Sequence, residues 1–225
     1  MEKPFSLGIL VGRFQTLHSG HEQMIETALA LCRKVGIFVG SSQESGTQKN
    51  PFPYELRREM LEALFGDRVE IYPLPDIGVG NVGAWGDYVL ENVQKQFGQM
   101  PELLISGKET RRLDWFDSVQ GVRVAELYIP KTIEISASQM RTFLLTDDRQ
   151  QWECYVNKKL HPFYPRLRVL VLESEDRRET QSIYRKWPYE AGTHCNFSTG
   201  YGPIQIQYGS GDFSQAHGLK RGILL

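Results

Sequence analysis

Cysteine is scarce in this chain, with three among 225 residues. Cys32, Cys154 and Cys195 stand too far apart for a disulfide framework, which points to a reducing, cytoplasmic setting. An excess of one charge is missing too. The 26 basic and 27 acidic residues leave a net charge of −1, so no global basic field exists to draw nucleic acid. Any phosphate chemistry must then come from a local cluster. Long hydrophobic runs are absent as well. The opening MEKPFSLGILVGRF carries an apolar run too short for a signal peptide or a spanning helix. Neither nucleic acid nor a membrane is therefore an expected partner. There is no internal repeat and no low-complexity tract, and the composition is that of an ordinary soluble globular protein.

What is present is a regular alternation of apolar patterns. Residues 6–12 form a short continuous apolar run of the buried-strand type. Residues 22–34 (EQMIETALALCRK) set Met24, Ile25, Ala28, Leu29 and Cys32 on one helical stripe. Residues 35–40 read as a second strand. Residues 54–65 (YELRREMLEALF) read as a second helix, with Leu56, Met60, Leu61 and Leu64 on its face and Gly66 as its stop. Strands at 69–74, 102–106 and 122–129 and helices at 85–97 and 136–145 complete the series. Alternation at this pitch predicts an α/β fold, a doubly wound parallel five-stranded sheet with helices on both faces.

The remainder reads differently. Past a helical stretch at 152–160, HPFYPR breaks regularity with two prolines, and residues 167–173 (LRVLVLE) read as a strand. Residues 188–225 hold seven glycines among alternating stretches such as IQIQY, the pattern of short antiparallel strands and turns. The expected organisation is a main domain over 1–165 and a small β-rich extension over 166–225. That extension would cover the site or mediate assembly, with a homo-oligomer as the expected state.

In a parallel sheet, ligands bind beyond the carboxyl ends of the strands. Residues 12–25, GRFQTLHSGHEQMI, occupy that position between the first strand and the first helix. Gly12 permits a tight turn, and Gly20 permits close approach of backbone to a ligand. Ser19 suits a helix N-cap, which would aim the helix amides at the crevice, while Arg13, His18 and His21 add donors. Histidines three apart can also ligate metal, but zinc needs a further ligand nearby and no local residue offers a convincing one. No metal-ligating residues are expected. A second segment, residues 133–141 (IEISASQMR), places Ser136 or Ser138 as a cap and Arg141 one turn on. Taken alone, either segment is also compatible with plain helix capping.

Together the two segments resemble the nucleotidylyltransferase superfamily, whose signatures are HxGH after the first strand and ISxTxxR near the end. The likeness narrows to nicotinamide mononucleotide adenylyltransferases, particularly the archaeal-type group. GRFQTLHSGH is similar to that group's GRFQPxHxGH, and residues 40–57, GSSQESGTQKNPFPYELR, to its GSAQxSxTxxNPFTxxER. The likeness runs from about residue 6 to 145. Thr16 replaces the usual proline, and Ser138 replaces the usual threonine while keeping the hydroxyl.

The resemblance implies a Rossmann-like nucleotidyltransferase fold and transfer of AMP from ATP to nicotinamide mononucleotide, giving NAD and pyrophosphate. It implies catalytic roles for His18, His21, Arg13 and Arg141. ATP would be held by Gly12, Arg13, Phe14, His18, His21, Gly107, Ser136, Ser138 and Arg141. Arg57, Asp76 and Trp85 would serve the acceptor, with the indole face suiting a cationic pyridinium ring. Trp85 is equally suited to anchoring its helix, and Asp76 to a turn. Lys108, Arg111 and Arg112 suit a solvated face. Mg²⁺ would accompany ATP, bridging phosphates with few protein ligands. The acceptor phosphate is already anionic, so attack on the α-phosphorus needs no general base and no covalent enzyme intermediate.

Other readings stay in view: a sister adenylyl- or cytidylyltransferase using another phosphorylated acceptor, and a catalytically idle nucleotide-binding regulator. Residues 78–83 (GVGNVG) also fit GxGxxG. They follow the third strand rather than the first, behind Pro73 and Pro75, which suit a central strand poorly. A flexible loop over the substrate fits them better than a hydride-transfer site. His161, His194, Cys195 and His217 lack zinc-type spacing.

Overall fold

The fold was obtained as a computed structural model, which describes residues 2–78, 83–107, 124–186, 194–199 and 202–207. Two compact units divide the chain, Met1–Val171 and Leu172–Leu225. In the first, β1 (Phe5–Gly12), α1 (Ser19–Leu31), β2 (Cys32–Gly40), α2 (Tyr54–Phe65), β3 (Glu70–Leu74), α3 (Gly83–Phe97), β4 (Leu103–Ser106) and β5 (Ala125–Tyr128) alternate in order. α4 (Ala137–Leu145) and α5 (Arg149–Cys154) follow. The strands pair in parallel in the order β3-β2-β1-β4-β5. The expected five-stranded parallel Rossmann-like sheet is what forms. Of the expected fifth strand, residues 122 and 123 lie outside the described residues.

The strand pattern explains the two faces. Leu10 of β1 and Val35, Ile37 and Val39 of β2 project into a core shared with Ile25 and Ala28 of α1, the apolar face of α2, and Met140 and Leu144 of α4. Leu7, Ile9 and Phe38 project to the opposite side, against Val89 and Val93 of α3. The alternation follows from the two-residue side-chain period of a strand. β3 is an edge strand, which resolves the prolines at its end: Pro73 lies within β3 where only one neighbour needs hydrogen bonds.

Two element assignments change. Helix α1 starts at Ser19 and ends at Leu31, so Cys32 leaves the helical stripe and opens β2. Backbone pairing of Cys32 with Phe5 and Lys34 with Leu7 captures those residues for the sheet. Residues 167–173 are not a strand but part of α6 (Tyr164–Lys186). Tyr164, Leu167 and Val171 are buried at helical spacing, and a short apolar run does not by itself separate a buried helix from a strand.

Within the second unit, β6 (His194–Thr199) pairs antiparallel with β7 (Gly202–Gln207). This is the arrangement the alternating IQIQ stretch suggests. No helix among the described residues is long and apolar enough to cross a membrane.

Candidate active site

The sheet order reverses between β1 and β4, since β1 runs on to β2 on one side and pairs with β4 on the other. A crevice opens at such a point, beyond the carboxyl ends of the strands. Here it holds a cavity of about 340 Å³. The β1–α1 loop forms one wall. Gln15 pins this loop to the β2–α2 loop through paired bonds to Phe52, donating from Nε2 to the carbonyl (3.0 Å) and accepting the amide at Oε1 (2.9 Å). Thr16 is fully buried, and the Gln15–Thr16 peptide is cis.

Helix α1 is capped by His18, not by Ser19. The His18 imidazole folds back so that Nδ1 accepts the Gly20 amide at 3.2 Å. Ser19 is the first helical residue, and its amide (2.8 Å) and hydroxyl (2.7 Å) both donate to the Tyr155 carbonyl. Gly20 also serves this cap. A Cβ there would lie 3.1 Å from the His18 ring, so glycine makes room for the imidazole, and Gly20 also borders the cavity. The first α1 amides are engaged as well: Ser19 by Tyr155, Gly20 by Nδ1 and His21 by the His18 carbonyl. The donors that α1 turns to the cavity are therefore its imidazoles.

Their protonation follows from their surroundings. Burial, and then the nearby Lys131 charge, push the His18 pKa down to about 4. Burial and then the neighbouring His18 hold His21 well below the ordinary histidine range. Both rings are neutral at pH 7. Because His18 Nδ1 accepts a hydrogen bond, its proton sits on Nε2, leaving one defined N–H donor. The two rings stand 3.9 Å apart between centroids, and Phe14 lies 5.1 Å from His21. His21 Nδ1 is buried with no hydrogen-bond partner among the described residues.

The facing wall is built by β4, the β5–α4 loop and the start of α4. Ser136 caps α4, accepting the Gln139 amide at 3.2 Å while its hydroxyl donates to Gln139 Oε1 at 2.8 Å. Arg141 joins the two motifs: one guanidinium nitrogen donates to the Gln15 carbonyl, the other to Ser138 Oγ at 3.1 Å. Gly107 follows β4, where an added Cβ would meet Met24 Sδ at 2.7 Å. The close approach it permits in this structure is that of a thioether. Leu10, Leu104, Ile105, Ile133 and Ile135 line the apolar part of the cavity.

Charge is lopsided in this cavity. Arg13, Lys131 and Arg141 line it, and no carboxylate does among the described residues. A protein of net charge −1 thus presents a local cationic pocket. All nine residues expected around ATP (Gly12, Arg13, Phe14, His18, His21, Gly107, Ser136, Ser138, Arg141) border it.

The three residues expected at the acceptor do not. Arg57 is fully buried, donating to the carbonyls of Arg13 (2.9 Å), Gly40 (2.8 Å) and Ser41 (3.0 Å). Its guanidinium ties together the ends of β1 and β2 instead of facing an anion. Burial lowers its pKa to about 10. Asp76 is exposed after β3, with its amide donating to Gln43 Oε1 at 2.9 Å. Trp85 is half-buried on α3, 5.4 Å from the Tyr88 ring.

Lys108, Arg111, Arg112 and the middle of the GxGxxG stretch, residues 79–82, lie outside the described residues, as does His217. No group of three His, Cys, Asp or Glu side chains suited to a metal occurs among the described residues. Sequence reasoning passed over Lys131, an exposed residue that lines the cavity and whose charge acts on His18. It also passed over Asn50, buried beside Arg13.

A five-stranded parallel sheet with a cationic cavity at its switch point, and no carboxylate among the described lining residues, is the architecture of a Rossmann-like fold suited to binding phosphates. Sequence comparison gives the family. The cytidylyltransferase-like model matches residues 9–143, and the chain belongs to that family.

Among curated relatives, nicotinamide-nucleotide adenylyltransferase of Pyrococcus abyssi is 42% identical over 93 residues, covering 39% of this chain and 49% of the relative. The enzyme of the same name from Thermococcus sibiricus is 28% identical over 191 residues, covering 79% and 97%. The chain spans about half the length of several of the curated relatives it matches. Among solved structures, a bifunctional NMN adenylyltransferase/ADP ribose pyrophosphatase from Francisella tularensis, complexed with AMP and a manganese ion, shares the fold. Its TM-score is 0.63 at 22% identity, covering 84% of this chain and 62% of that one.

Proposed function

We propose that this chain is a nicotinamide mononucleotide adenylyltransferase, joining ATP and nicotinamide mononucleotide to form NAD and pyrophosphate. The observation that carries this is the cavity's composition: three cations, two neutral imidazoles and an apolar compartment, with no carboxylate among the described lining residues. Polyphosphate suits the first part and a purine base the second. The names of the archaeal relatives support the choice of acceptor.

The chemistry follows from charge. The acceptor's phosphate oxygen attacks the α-phosphorus of ATP; that O–P bond forms as the α–β bridging bond breaks, and its electron pair leaves on pyrophosphate. No proton need be removed from the attacker, so neutral histidines serve as donors rather than bases. His18 offers Nε2–H to a phosphate oxygen, His21 lies beside it, and Arg13, Lys131 and Arg141 neutralise the charge gathering on the leaving group. A divalent cation would accompany the nucleotide. With no carboxylate among the described lining residues to bind it, Mg²⁺ would be held by the phosphates and would supply charge neutralisation there. Asp76 and Trp85, beyond β3, take the acceptor's nicotinamide end, and Arg57 holds the loops on which Arg13 stands.

Turnover measured with ATP and a panel of acceptors tests this. The panel is nicotinamide mononucleotide, nicotinic acid mononucleotide, a pantetheine phosphate and a sugar phosphate. NAD formation from the first is expected. Turnover with a sugar or pantetheine phosphate, and none with either pyridine mononucleotide, would overturn the assignment.

A further inference from the structure

Arg13 is exposed at the mouth of the cavity, where a long side chain needs something to fix its direction. The structure supplies it from the β2–α2 loop. Asn50 is 2% exposed, and its Oδ1 accepts from Arg13 Nη1 at 3.2 Å. Its own amide group is fixed from the other side, because Nδ2 donates to Glu44 Oε2. The backbone around it is closed by the Asn50 amide donating to Thr47 Oγ1 (3.0 Å) and the Gly46 amide to the Pro51 carbonyl (3.2 Å). An amide has two distinguishable ends. With the nitrogen held by a carboxylate, the oxygen is the end left facing the guanidinium.

The chemistry of the choice is informative. A carboxylate against Arg13 would orient it and also cancel the charge that a phosphate needs. An amide oxygen orients it and leaves the charge in place, with the carboxylate one residue removed. We propose that Asn50, anchored by Glu44, is the positioning residue that aims Arg13 at the phosphates of ATP. This rests on the assignment of the cavity to ATP made above, but not on the identity of the acceptor.

Equilibrium ATP binding and steady-state kinetics of Asn50→Ala, in the native and Arg13→Ala backgrounds, provide the test. In the native background, ATP affinity should weaken roughly tenfold, the scale for losing a hydrogen bond that orients a charged group. KM for the acceptor should move much less than KM for ATP. In the Arg13→Ala background the same substitution should change ATP affinity less than twofold, since a residue acting through Arg13 has nothing left to aim.

Glu44→Ala removes only an exposed anchor, so it retains the fold should Asn50→Ala fail to. It should weaken ATP in the same direction, and again only when Arg13 is present. Equal losses in both backgrounds, or no loss in the native one, would overturn the proposal. ATP binding that follows this pattern without NAD formation would instead overturn the acceptor assignment alone. Absence of ATP binding by the native chain would remove both.

Discussion

Replacing His18 with asparagine should separate its helix-capping role from the phosphate-donor role proposed for it. In the structure, Nδ1 accepts the Gly20 amide at 3.2 Å and so caps α1; in the proposed reaction, Nε2–H donates to phosphate. Asparagine is a good N-cap, and its side-chain oxygen can accept the same amide. It has no N–H at the distance of Nε2. The cap is worth about 1 kcal/mol, and His18→Asn should keep it. The variant does lose the ring contact with His21, 3.9 Å between centroids, so stability should fall by no more than about 1 kcal/mol. Loss of a donor to charge developing in the transition state costs about 2.7–4 kcal/mol, or roughly 10²–10³-fold in kcat. His18→Ala should show the same fall in kcat together with the lost cap. Thermal unfolding and NAD formation on the same preparations read both quantities. An asparagine variant with near-native kcat, or one as destabilised as the alanine variant, would refute the dual role.

Acid should destabilise the protein through the same group. The folded His18 titrates at about 4 against a usual 6.5, so between those pH values the unfolded chain binds a proton that the native one refuses. Stability is therefore present above pH 6.5 and lost as pH falls toward 4, by at most about 3 kcal/mol from this residue. His21 adds loss in the same direction. Urea unfolding of native and His18→Asn protein across this range should show a flatter profile for the variant. Lys131→Ala should weaken ATP binding roughly tenfold and raise the His18 pKa, read by NMR, with little change in unfolding temperature. Arg57→Lys should cost about 3 kcal/mol or more, because a single ammonium group does not satisfy three backbone carbonyls at the strand ends. Denaturant unfolding checks it, and a lysine variant of native stability would show the carbonyls are otherwise satisfied.

The parts of the site legible in the sequence were those whose chemistry is packed into consecutive residues. His18, His21 and the Ser136–Arg141 segment carry their donors beside a strand end and a helix start, and the sheet alternation says which end that is. Arg57 was legible as a cation but not as a brace, because its partners are carbonyls of two loops that only folding brings to it. The capping role of His18 was hidden because imidazole is not among the usual cap side chains, whereas Ser19 beside it is. Lys131 sits in a loop with no motif of its own, and its importance is a matter of what it faces. Residues 167–173 failed differently: an apolar run has no period to read, and burial against the core made it helical.

Direct transfer of the adenylyl group to an anionic phosphate can be followed by incubating the protein with ATP labelled at the α-phosphate, nicotinamide mononucleotide and Mg²⁺. Label should appear in NAD with an equal amount of pyrophosphate and none on the protein, and His18→Asn should suppress this transfer. Label recovered as free AMP, label attached to the chain, or no NAD from the native protein would contradict it.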